Sequence, residues 1–75
     1  MTYQLWDTQS GNAIGEFDTK IDALRDVLEA VKLNGDDSVA PFLLIAVSDS
    51  GAIEGIASGV ELVELARRRF HILPA

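Results

Sequence analysis

Cysteine is absent from this 75-residue sequence, and histidine occurs once, as His71. Without cysteine there can be no disulfide framework, no thiol nucleophile and no cysteine-bearing zinc site. Basic residues are scarce, six against twelve acids, for a net charge of −6. Lys20, Arg25 and Lys32 are the only bases before Arg67, so residues 1–66 carry −9 and residues 67–75 carry +3. An acidic body of this kind is repelled by nucleic acid and anionic membrane and suits a basic partner. Long apolar runs are missing too. The longest begins near Val39 and ends at Val47, far short of the roughly 20 residues that span a bilayer. Met1–Asp7 shows no basic region followed by an apolar stretch, so a soluble cytoplasmic protein is expected.

What is present is apolar residue in plenty, 48% of the chain, arranged in short periodic stretches. Tyr3–Thr8 is aromatic and β-rich and reads as a strand. Ser10-Gly11-Asn12 is a turn signal, and Ala13–Asp18 returns as the second strand of a hairpin. Gly15 marks a bulge there, because Ile14 and Phe17 are both apolar yet fall on opposite faces of a regular strand. Thr19 is placed to cap a helix, with Asp22 in its first turn. Ile21, Leu24, Leu28 and Val31, widened by Val27, form the apolar stripe. Asp22, Arg25, Asp26, Glu29 and Lys32 form the wet face, where Arg25 and Glu29 are spaced to pair. Asn34-Gly35 ends the helix.

Phe42–Val47 is apolar at every position, six residues long, and bounded by Pro41 and Ser48–Gly51; at that length it reads as a strand. Asp49-Ser50-Gly51 turns the chain and Ala52–Ala57 returns. Ser58 and Glu61 match a capping box. Val60, Val63, Ala66 and Phe70 then draw one apolar line on a second helix, with Leu62 and Leu65 beside it. Leu73-Pro74-Ala75 is a tail that Pro74 keeps from being helical.

These elements predict an α+β domain over residues 1–75. It is a two-layer ββαββα fold, with a four-stranded, mainly antiparallel sheet and two helices on one face. The first ββα unit covers residues 1–35 and the second 39–73. Ser10-Gly11 corresponds to Ser50-Gly51, and with a one-residue gap Ile14, Phe17, Thr19, Ile21 and Leu24 fall on Ile53, Ile56, Ser58, Val60 and Val63. The halves read either as a duplication or as two units meeting the same local requirements. Strand order is left open.

Two layers leave one sheet face without a cover. Phe42–Val47 should then alternate apolar and polar, and it does not. Trp6 points away from the face shared by Tyr3 and Leu5. The open face is therefore expected to carry Trp6 with Phe42, Leu44 and Ala46, as an interaction surface that a second copy covers. The competing reading folds the segment Phe70–Leu73 over it.

Residues that could carry chemistry are few. His71 lies near the end of a helix, where an imidazole interacts with terminal carbonyls. Asp22/Asp26 and Asp36-Asp37 read as solvated carboxylates, and the second pair lacks the ligand series of a calcium loop. Gly51, Gly55 and Gly59 have neither the spacing nor the lysine of a phosphate-binding loop. Arg67, Arg68 and Arg69 suit the negative end of a helix, but three consecutive positions fan around the axis instead of forming a stripe. Docking onto acidic protein surface fits them better than nucleic acid.

Tyr3-Gln4-Leu5-Trp6-Asp7, then Ser10-Gly11-Asn12, then Phe17-Asp18-Thr19 and Ala23-Leu24, resembles the opening of a group of short uncharacterised bacterial proteins. The resemblance covers the first third of the chain and the remainder in layout. It implies a bacterial ββα-type domain and no catalytic, metal or cofactor residue. The expected function is a non-catalytic protein–protein interaction module, homodimeric through the open sheet face, without cofactor and away from membranes. The interface residues are expected to be Trp6, Phe42, Leu44, Ala46 and Arg67–Arg69. The alternatives are an acidic, antitoxin-like inhibitor of a basic partner and, more weakly, a nucleic-acid binder through the arginines.

Overall fold

The protein is described here by a computed structural model covering residues 1–70. The elements follow the order β1 (Thr2–Asp7), β2 (Asn12–Phe17), α1 (Lys20–Asn34), β3 (Phe42–Val47), β4 (Ile53–Ser58) and α2 (Gly59–Arg69), with a single 3-10 turn at Asp36–Val39 before β3. The four strands make one antiparallel sheet in the order β2-β1-β3-β4. Each hairpin thus supplies one central and one edge strand, and the two central strands join the halves. Thr8 reinforces that joint: its N–H and its hydroxyl both donate to the Pro41 carbonyl, at 2.8 and 2.7 Å.

Local chemistry explains most element ends. Asp7 organises the first turn, its Oδ1 accepting from the Gln9 N–H at 2.9 Å. Thr19 has extended backbone and its hydroxyl accepts from the Asp22 N–H at 3.1 Å, which satisfies one of the orphan donors of α1. Gly35, at φ +89°, closes α1 by donating to the Val31 carbonyl at 2.8 Å. Arg25 pairs with Asp22 at 3.3 Å instead of with Glu29, and its guanidinium lies 5.9 Å from the centre of the Phe70 ring. That contact ties α1 to the end of α2.

The start of α2 departs from the capping box. Ser58 makes no side-chain cap bond, because it is still a strand residue paired with Leu43. The chain turns into the helix through Gly59 at φ +54°, where an added Cβ would lie 3.3 Å from the Ala40 carbonyl oxygen. Gly59→Ala is therefore expected to destabilise the protein by about 1–2 kcal/mol, through left-handed backbone strain and the close approach. A urea unfolding curve checks it; an unchanged midpoint would show that this turn relaxes freely.

The core lies between the sheet and the helices. Leu5, Ala23, Leu24, Val27, Val39, Leu44, Leu62, Val63 and Ala66 form one buried cluster, with Tyr3, Phe17, Phe42, Ile56 and Phe70 among the residues packed against it. Val60, expected on the apolar line of α2, is 73% exposed. The inward stripe runs instead through Leu62, Val63 and Ala66, because the turn at Gly59 rotates the helix start away from the sheet. Both edge strands are bulged. The extra residue in β2 is Ile14, next to Gly15, and in β4 it is Ile56. Among the described residues no helix is long and apolar enough to cross a membrane.

Candidate functional site: the open face of the sheet

Side chains alternate across a strand, and residues directly opposite in a ladder share a face. Leu5 opposes Leu44, Tyr3 opposes Ala46 and Asp7 opposes Phe42. Leu5 and Leu44 are at most 1% exposed and belong to the core cluster, so this set faces the helices. The other set, Thr2, Gln4 and Trp6 opposite Val47, Ile45 and Leu43, faces away from them. Trp6 lies on the open face, as its phase in β1 predicts. Phe42, Leu44 and Ala46, expected there, face the helices instead, and the β3 residues on the open face are Leu43, Ile45 and Val47. The physical reason is that a strand apolar at all six positions has no phase of its own. Its inward set is chosen by pairing with β1.

Ile53 continues the apolar surface opposite Val47, and Gly55 flanks Ile45. Trp6, Leu43 and Val47 are half-buried, and Ile53 is 70% exposed. Ile45 is 8% exposed and stands outside the helix-side core cluster, so neighbours on the open face itself shield it. The polar groups at the margin are satisfied internally. The Trp6 indole Nε1–H donates to Gln4 Oε1 at 3.0 Å, and Gln4 Nε2 donates to Glu16 Oε2 at 3.3 Å. Glu16 is the one charged residue that register places on this face.

The arginines are disposed differently from one another. Arg67 holds Asp36 through two hydrogen bonds, at 3.0 and 3.2 Å, fastening α2 to the turn that follows α1. It is therefore held within its own chain, unlike its two neighbours, which have no such partner among the described residues. Arg68 and Arg69 are exposed, and Arg68 lines a shallow depression with Ile56, Glu61 and Leu65. Between the helices a furrow of about 300 Å³ is lined by Arg25, Leu28, Glu29, Val31, Lys32 and Arg67; two of its three cations are already paired. Phe70 packs on the helix side of the sheet, away from the open face. His71 and the rest of the segment proposed to fold over that face lie outside the described residues.

Among the described residues no polar or charged residue is buried, and no group of three or more His, Asp or Glu is placed to hold a metal ion. The Met1 amino group, 2.9 Å from Asp49 Oδ1, holds that carboxyl below the usual carboxylate range by hydrogen bonding and charge. This pair is at the surface beside the second turn. Compared with protein-family models, with curated proteins and with solved structures, the chain matches none, so the site rests on its own geometry.

Proposed function

We propose that this chain is a non-catalytic protein–protein interaction module that self-associates by packing the open face of its sheet against the same face of a second copy. One observation carries the reading: Trp6, Leu43, Ile45, Val47 and Ile53 make a contiguous apolar surface across three strands. Exposed apolar surface of this kind marks an interaction site.

Three features favour a second copy as the occupant. A chain of this length buries only about 60% of the surface its unfolded form exposes, less than larger domains do, and association adds burial available to the folded state alone. The face carries a single acid in a chain of net charge −6, so two copies meet there without the repulsion their other surfaces would impose. The Trp6 N–H already has its acceptor in Gln4, so the ring can be covered without stranding a polar group. Four six-residue strands present a footprint of roughly 20 × 20 Å, about 800 Å² counted over both copies and short of the roughly 1,200 Å² at which stable specific interfaces begin. The dimer is therefore concentration-dependent.

Light scattering behind size exclusion, at two concentrations and two salt levels, tests this. The expected result is twice the chain mass at the higher concentration, insensitive to salt. Emission from the single tryptophan should move to shorter wavelength as the dimer forms. A monomer throughout, with emission that does not shift, would refute self-association.

A further inference from the structure

Five of the six glycines have a reason within the chain. Gly11, Gly35, Gly51 and Gly59 adopt positive φ, and an added Cβ at Gly15 would lie 3.0 Å from the Phe17 ring. Gly55 has neither reason. Its φ is not positive, and a Cβ there would meet nothing within 4 Å. The neighbouring bulge at Ile56 does not require it, because bulges that depend on glycine place it at positive φ. Glycine within a strand forfeits packing and marks a place where another group approaches closely. Here nothing in the described chain approaches. Gly55 opposes Ile45, which opposes Gln4, so it lies on the open face and leaves a notch beside the best-shielded residue there.

Resting on the face-to-face reading, we infer that Gly55 is the seat for Trp6 of the second copy. Trp6 is the largest side chain on this face, half-buried in its own chain, with its polar atom already bonded. It stands on β1, and Gly55 on β4, with β3 between them. Two strand spacings, about 10 Å, separate the strands, so a tryptophan does not fill the notch of its own chain. Trp6 is level with Leu43 and Gly55 with Ile45, two residues along, so a two-fold axis between the faces, oblique to β3 and centred between Leu43 and Ile45, carries each Trp6 to the partner's Gly55, as isologous contacts require. Leu43 and Ile45 of the two copies then meet around the centre.

Isotope-filtered NMR on a mixture of labelled and unlabelled chains tests the contact. The expected result is a cross-peak between the Trp6 indole protons of one chain and the Gly55 Hα protons of the other. A second measurement uses Gly55→Val. Filling the notch should weaken dimerisation at least about tenfold, while the variant's unfolding midpoint, measured at a concentration where both proteins are monomeric, holds or rises. If the wild-type chain is dimeric but shows no such cross-peak, or Gly55→Val dimerises as tightly as the wild type, this inference falls and self-association stands. If the wild-type chain is monomeric, both fall.

Discussion

Leu44→Asp is expected to leave the chain without a cooperative fold, whereas Leu43→Asp, one residue earlier, keeps it. Leu44 is fully buried, in the cluster formed with Leu5, Leu24 and Leu62. Aspartate there removes the packing of a buried leucine, worth about 2–5 kcal/mol. It also places a carboxyl where no buried polar partner exists among the described residues, which adds several kcal/mol more. A 75-residue domain has only about 4–11 kcal/mol in total. Leu43 sits on the opposite face, half-exposed, so a carboxylate there reaches water and the core is untouched. Far-ultraviolet circular dichroism with thermal melting separates the two. A folded, cooperative Leu44→Asp protein would mean that Leu44 is not in the core. Unfolding of both variants would mean that the two faces are not distinguished.

Trp6→Glu carries the second large effect, on association instead of folding. A tryptophan central to an interface contributes at least about 2 kcal/mol, about a 30-fold change in dissociation constant. The introduced carboxylates add repulsion between two copies that already carry a net charge of −6 each. Stability of the monomer changes little, because Trp6 lies outside the core cluster. Light scattering should show the variant monomeric at concentrations where the wild type is dimeric, with unchanged amide dispersion by NMR. A Trp6→Glu protein that still dimerises would move the interface off this face. The bulged edge strands β2 and β4 would then be next to test, since edges carry unpaired backbone groups.

Much of the architecture is legible in local pattern. The strand of Tyr3, Leu5 and Trp6 alternates cleanly, so its inward and outward sets are readable before any partner is known. Thr19, Gly35 and the Ser-Gly turns punctuate the chain as their chemistry predicts. The capping box at Ser58 and Glu61 is a case where the right residue types at the right spacing do not form the motif. The strand runs through Ser58, and Gly59 makes the turn. Val60 follows from the same cause, since its exposure depends on how the helix leaves that turn. Arg67 reads as one of three equivalent cations until the turn at Asp36 is brought beside it across a separation of 31 residues.

The order of elements, their caps and the class of fold come from interactions within a few residues, which is why the chain's own pattern determines them. The face that each residue of Phe42–Val47 occupies does not. A run without polar residues is equally content in either phase, and the choice falls to the register with β1, where Leu5 meets Leu44. Strand order has the same origin, because placing β1 beside β3 is a pairing between residues some forty positions apart. The open apolar face, and the notch at Gly55 within it, exist only once that long-range pairing has put three strands side by side.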